Sequence, residues 1–149
     1  MHMVRILSCG LLLLAVTVSP VRADDPCLGD EEEKSAKAAV AALTKAEQAG
    51  RPAELFVTYR SILGNDCLDR YDRTALSRAK SALPKLGREL AKAAEVKGLW
   101  YSPDPVRGDG KTSAFRYFET IGDYADANRV MMKALQAKPE DLALFTTAW

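Results

Sequence analysis

Few residues of this chain have the types and spacing that catalysis requires. The only histidine among the 149 residues is His2, so residues 24–149 contain none. The usual general base is therefore missing there, and with it Ser-His-Asp triads, Cys-His pairs and histidine metal sites. Asp66, Asp69 and Asp72 are spaced by three residues but lack the alternating ligands and central glycine of a calcium loop. We expect these aspartates to cap helices, and we expect no catalytic residue, metal or cofactor.

Two short motifs have familiar forms. Gly110-Lys111-Thr112 is similar to the end of a phosphate-binding loop, but Pro105 stands where the first glycine of that loop belongs. Arg107-Gly108-Asp109 is a tripeptide that some adhesion ligands present, and a match of three residues often arises by chance. A flexible turn with a threonine cap explains the first motif, so we expect no nucleotide.

The first 23 residues are typical of a secretory signal peptide. Arg5 precedes an apolar run over residues 6–18, and Val21-Arg22-Ala23 offers a cleavage site. An uncleaved membrane anchor is the alternative, although the run is shorter than the roughly 20 residues that span a bilayer. Export to the periplasm or the exterior is the prediction, with no integral membrane span in residues 24–149.

Residues 24–149 are long enough for a single domain with one hydrophobic core. They carry 19 basic and 20 acidic residues, a net charge of −1. This balance gives no electrostatic reason to expect nucleic acid or an anionic membrane surface as the partner.

Cys27 and Cys67 are the cysteines that remain after the predicted leader. A pair of cysteines in a secreted chain is most simply a disulfide, which here would close a loop of 41 residues. Two free or metal-binding thiols are the alternative. A C-x-x-C redox motif is absent, which disfavours a thiol–disulfide oxidoreductase.

Apolar residues recur at intervals of three and four along most of this region, which is typical of amphipathic helices. No run of alternating β-branched residues indicates a strand. We predict an all-α fold, with helices that begin near Asp30, Pro52, Asp72, Ser113, Asp123 and Glu140. Pro84 and Gly87 leave two alternatives in the middle of the chain, a long kinked helix or a turn between two helices.

Residues 122–141 resemble the second half of a tetratricopeptide repeat (TPR), a helix–turn–helix unit of 34 residues. The resemblance depends on a turn glycine, an aromatic, two small residues, a large apolar residue and a closing proline: Gly122, Tyr124, Ala127, Met131, Ala134 and Pro139. The preceding helix departs from the family, since Lys111, Ala114, Phe115 and Phe118 stand where it has tryptophan, leucine, a small residue and tyrosine.

Gly50, Gly87 and Gly122 lie at intervals of 37 and 35 residues, close to the repeat length of the family. This periodicity favours a turn at Gly87. The resemblance therefore implies three antiparallel helical hairpins, stacked as a short TPR-like right-handed array with a C-terminal helix.

The segment 99–111 contains two prolines, two glycines and three residues common in binding hot spots, Trp100, Tyr101 and Arg107. Loops of this length without secondary structure are often functional. Trp100 and Tyr101 could instead fold back to cover the core, and both interpretations stay open.

The resemblance implies a non-catalytic scaffold that binds a protein or peptide of the cell envelope. In the family the first helix of each hairpin lines a groove, which places Thr112, Arg116 and Glu119 toward the bound segment, with Trp100, Tyr101 and Arg107 at one end. The alternative function is a small disulfide-stapled inhibitor or immunity-type protein that acts through the 99–111 loop. The end that carries Phe145 and Trp149 is a candidate surface for a homodimer.

Overall fold

A computed structural model describes residues 26–139, and the all-α prediction is confirmed for this part of the chain. It contains six helices and no strand. No helix between residues 26 and 139 has the length and apolar character needed to cross a bilayer. The predicted leader, the helix expected near Glu140, and the Phe145/Trp149 end lie outside the described residues.

Most predicted helix boundaries agree with the structure. The helices are α1 (Asp30–Ala49), α2 (Pro52–Leu63), α3 (Leu68–Tyr71), α4 (Arg73–Val96), α5 (Ala114–Thr120) and α6 (Tyr124–Ala137). Asp72 caps α4, since its carboxylate accepts a hydrogen bond of 2.9 Å from the Ala75 N–H. The capping role expected for the three aspartates is thus confirmed for Asp72, whereas α3 has Cys67 at its N-cap and no side-chain cap hydrogen bond. The four-residue helix α3 was not predicted.

Apart from the four-residue α3, each helix packs against the next one in the chain. α1 packs on α2, α2 on α4, α4 on α5, and α5 on α6, while the short α3 contacts α1 and α4. Phe56 and Tyr117 meet at the centre of the core, with ring centroids 5.1 Å apart in an edge-to-face arrangement. One continuous core therefore connects α2 to the last two helices.

The turn predicted at Gly87 is wrong. α4 continues through both Pro84 and Gly87, so this part of the chain is one long helix. Gly87 is buried, and a β-carbon built there would lie 2.5 Å from Ile121 Cγ2 and 2.9 Å from Phe56 Cε2. The glycine allows α4 to approach α2 and the end of α5 closely. Its spacing from Gly50 and Gly122 therefore does not mark a repeat boundary.

The turn predicted at Gly122 is confirmed. Gly122 has φ +75°, a left-handed conformation that favours glycine. Its N–H donates to the Glu119 carbonyl at 3.1 Å, and the Asp123 N–H donates to the Phe118 carbonyl at 2.9 Å. These two bonds form a Schellman motif, which ends α5 before Asp123 begins α6.

The predicted cysteine pairing is consistent with the structure, which joins Cys27 to Cys67 as a disulfide with Cα atoms 5.2 Å apart. The bond connects the segment before α1 to the residue that precedes α3. Beside it the Tyr71 hydroxyl donates to the Cys27 carbonyl at 2.6 Å. Two interactions thus hold the N-terminal segment against the turn after α2.

Candidate partner-binding site

The loop between α4 and α5, residues 97–113, is held to the helices at both ends. The Ala114 N–H donates to the Leu99 carbonyl at 2.8 Å, and the Phe115 N–H donates to the Trp100 carbonyl at 3.0 Å. Thr112 is only 5% exposed. Its hydroxyl accepts from the Arg107 N–H at 2.9 Å and donates to the Arg107 carbonyl at 3.1 Å. Thr112 therefore closes the loop on itself.

Arg116 attaches the first half of this loop to α5. Its guanidinium donates to the carbonyls of Ser102 at 3.3 Å and Pro103 at 2.7 Å. It also forms an ion pair of 2.8 Å with Glu119, one turn further along α5. Because three acceptors surround the guanidinium, Arg116 has a clear structural role in ordering the loop.

Trp100 and Tyr101 are half-buried and pack against the core. The Tyr101 ring lies 5.3 Å from the Phe115 ring, and the Lys133 ammonium lies 5.2 Å from the centre of the Trp100 ring. The structure thus shows the arrangement in which these aromatic side chains fold back onto the helices.

We expect Thr112→Val to lower the free energy of unfolding by about 1.5 kcal/mol, because the Arg107 N–H and carbonyl would lose both hydrogen bonds to the buried Thr112 hydroxyl. Urea denaturation measures this loss. Thr44→Val is the matched control, since the Thr44 hydroxyl bonds only the Val40 carbonyl on an exposed helix face. A loss no larger than that of the control would contradict the loop-closing role.

Two shallow hollows lie on either side of Glu119. The first, of about 200 Å³, is lined by Arg60, Pro103, Pro105, Val106, Arg116, Glu119 and Thr120. The second, of about 260 Å³, lies over α5 and α6 and is lined by Phe115, Glu119, Tyr124, Ala127, Asn128, Met131 and Met132. The structure thus brings Arg116 and Glu119 together at the surface. Thr112, Trp100 and Tyr101 line neither hollow, and Arg107 instead pairs with Asp104 at 3.7 Å.

Tyr124 and Met132 are site candidates that sequence reasoning did not select. Tyr124 is 66% exposed and Met132 is 54% exposed, although both are large apolar side chains. Tyr124 lies four positions before Asn128, and Met132 lies four positions after it. The three side chains therefore share one face of α6. That face is offset from the buried stripe that contains Ala127, Met131 and Ala134. The four-residue spacing was the signal that could have identified them.

Ion pairs join α6, which lies under the second hollow, to α4. Arg129 donates to the two carboxylate oxygens of Glu95 at 2.7 and 2.9 Å and to Asp126 at 2.7 Å, which joins α6 to α4. The hydrogen bonds from Arg129 lower the pKa of Glu95 below its usual range. Burial raises the pKa of Tyr117, a core residue of α5, above its usual range. The helices around the hollow are therefore fixed in position by both ion pairs and core packing.

A larger open hollow of about 680 Å³ lies beside the disulfide. Its lining is mostly polar: Glu31, Glu32, Ser35, Ala39, Ser61, Gly64, Asn65, Asp66 and Cys67. Asp69 is not part of it and pairs instead with Arg73 at 3.5 Å. Within residues 26–139, no group of three or more histidine, cysteine or acidic side chains is placed to hold a metal ion.

Comparison of the chain with protein-family models, with curated proteins and with solved structures found no match. The function must therefore be inferred from the chain's own residues and geometry.

Proposed function

We propose that this protein is an exported, non-catalytic helical scaffold that binds a protein or peptide partner at the hollow over α5 and α6. The observation that carries the proposal is the pair of exposed apolar side chains, Tyr124 and Met132, at a hollow on two anchored helices. Exposed apolar side chains that line a concave surface are candidates for contact with a partner.

The composition of the hollow favours binding over catalysis. Phe115 and Met131 form an apolar floor, while Glu119 and Asn128 supply polar groups at the edge. Buried apolar contact surrounded by polar groups is the usual anatomy of a protein interface. The titratable groups of the lining are Tyr124 and Glu119, which is ion-paired with Arg116, and the lining contains no histidine, cysteine, serine or lysine. We therefore assign no catalytic activity to this surface.

Several features support a TPR-like arrangement within this proposal. The Gly122 turn has the geometry that the motif in residues 122–141 implies. Ala127 and Ala134 are buried on α6, where small side chains allow a neighbouring helix to approach. In our proposal α5 and α6 form the best-defined hairpin of a short right-handed array. The predicted leader in residues 1–23 supports a periplasmic or secreted location, where the partner is an envelope protein.

Site-specific photo-crosslinking tests the binding surface. We expect a photoreactive phenylalanine analogue at position 124 or 132 to give a discrete crosslinked product in intact cells. The same analogue at Lys45, an exposed position of α1 far from the hollow in sequence, is the control. With the partner identified, Met132→Glu should weaken its affinity by about 30-fold, because a charge would replace apolar contact at the interface core. Crosslinks of equal yield at positions 45, 124 and 132 would contradict the assignment.

One observation favours the alternative of an inhibitor or immunity-type protein. The 99–111 loop is ordered by Thr112 and Arg116, and a preorganised loop loses little entropy when it enters a target site. The same crosslinking experiment separates the two functions. A product at position 107 without products at 124 and 132 would assign binding to the loop.

A further inference from the structure

Positive charge is concentrated at the end of the molecule where α4 finishes and α6 lies beside it. Lys92, Val96 and Lys133 line one open hollow of about 310 Å³. Lys97 follows Val96 directly in the chain, and Leu99 comes two residues after Lys97. We call these five residues the corner patch. All five are exposed, and Val96 is 89% exposed, the largest value among the large apolar residues described.

The lysines of the corner patch have no acidic partner within ion-pair distance. Within residues 26–139, Lys92, Lys97 and Lys133 form no ion pair. The nearest acid, Glu95, also lines the hollow, but both of its oxygens are held by Arg129. The patch therefore presents three lysines without an ion-pair partner around an exposed aliphatic side chain, and one of them, Lys133, also lies over the Trp100 ring.

The backbone holds this corner in a fixed shape. Gly98 has φ +72°, its N–H donates to the Glu95 carbonyl at 3.0 Å, and the Leu99 N–H donates to the Ala94 carbonyl at 2.9 Å. This Schellman motif turns the chain sharply, so Val96 and Leu99 lie close to the turn. The Leu99 carbonyl is also tied to α5. The corner patch is thus preorganised.

From these contacts we infer that the corner patch docks on the surface of an anionic phospholipid membrane. Lysine is depleted in protein interfaces, where arginine and aromatic residues replace it, so a patch of lysine and aliphatic residues fits a protein partner poorly. It fits a bilayer surface well, because aliphatic groups enter the headgroup region while lysines reach anionic phosphates. The net charge of residues 24–149 gives no sign of this patch, because it sums acidic and basic residues over the whole surface. Four acids are gathered in the first turn of α1, Asp30, Glu31, Glu32 and Glu33, far along the chain from the patch.

Vesicle sedimentation tests the inference without a protein partner. The core of the described region lies within residues 26–139, so a chain that begins at Asp24 retains it and omits the apolar leader, which would itself bind bilayers. We expect this chain to bind phosphatidylcholine vesicles that contain phosphatidylglycerol, and not pure phosphatidylcholine. The binding should fall steeply as salt is raised to about 0.5 M, where charges are screened over a few ångströms.

Matched variants separate the corner patch from overall charge. Lys92→Gln, Lys97→Gln and Lys133→Gln together should weaken vesicle binding about 100-fold, since each lysine near an anionic surface contributes about fivefold. The control variant changes the net charge equally at other exposed positions, by Lys45→Gln, Lys80→Gln and Lys111→Gln. It should weaken vesicle binding less than about threefold. Val96→Ser should weaken it about fivefold through lost insertion.

Three results would overturn the inference. They are equal losses in the two triple variants, equal binding to both kinds of vesicle, and no binding to anionic vesicles at low salt. Unchanged binding of Val96→Ser would refute insertion of the corner. Circular dichroism of every variant checks that the helices remain folded.

Discussion

Gly87→Val is expected to lower the free energy of unfolding by about 3 kcal/mol. The β-carbon alone would come within 2.5 Å of Ile121 Cγ2 and 2.9 Å of Phe56 Cε2, shorter than real contacts of this kind. Valine adds two further methyl groups at the same point. Overpacking of a core typically costs about 1–3 kcal/mol. Valine has a higher helix propensity than glycine, but this difference stabilises the variant by only about 0.3 kcal/mol. Phe56 is fully buried, so its ring has little room to move.

Urea denaturation of the oxidised protein measures the effect, and two alanine variants calibrate it. Gly87→Ala should cost about 1–2 kcal/mol, because the gain in helix propensity offsets part of the steric cost. Gly64→Ala should change stability by less than about 0.5 kcal/mol, since a β-carbon there would meet only the Arg60 and Ser61 carbonyls, at 3.6 and 3.8 Å. A stabilised Gly87→Ala variant would show that the three helices are less closely packed than in the structure.

Gly87 also shows how far sequence patterns could predict this fold. Gly50 and Gly122 end helices in left-handed conformations, and the turn at Gly122 was predicted from the resemblance to a repeat hairpin. Gly87 has the same residue type at a similar spacing but lies inside α4. Local sequence cannot separate the two uses of glycine, because the reason for Gly87 is contact with Phe56 and Ile121, which are distant in the chain. Helix boundaries depend on local signals, whereas the choice of a packing glycine depends on tertiary contacts.

The candidate site shows the same limit. Thr112 and Arg116 were predicted to face a groove because the family resemblance places them on one side of a helix. In the structure their side chains instead donate hydrogen bonds to carbonyls of the preceding loop, at Arg107, Ser102 and Pro103. A loop of irregular conformation has no periodicity from which such bonds could be inferred. Glu119, by contrast, lies within α5 and remains on the surface, at the edge of both hollows.

The surface of this protein has an acidic region, an apolar region and a basic region at separate places. The acidic first turn of α1, the hollow over α5 and α6, and the corner patch are held in place by one core. The two proposed binding surfaces are formed from separate faces of α6, since Tyr124 and Met132 line one hollow and Lys133 lines the other. A partner held at the first and a membrane at the second could therefore be bound together.

Loss of the disulfide is the second change with a large expected effect. Replacement of Cys27 and Cys67 by serine should lower the free energy of unfolding by about 3–4 kcal/mol. The bond joins residues 40 positions apart. The chain-entropy model gives about 4 kcal/mol for a loop of this size, because the crosslink restricts the unfolded chain. The hydrogen bond from Tyr71 to the Cys27 carbonyl does not involve the sulfur atoms, so it can still hold the segment before α1 against α3 in the double variant.

The comparison that decides this prediction uses four samples in urea: oxidised protein, protein reduced with dithiothreitol, the double serine variant, and Tyr71→Phe. Reduced protein and the double variant should have the same midpoint, well below that of the oxidised protein. Tyr71→Phe keeps the crosslink and should cost only about 1 kcal/mol, the usual net value of one hydrogen bond. Alkylation of the cysteines should require prior reduction. If the untreated protein is alkylated at once, or if dithiothreitol leaves its midpoint unchanged, then the thiols are free in solution, and the segment before α1 is held by noncovalent contacts alone.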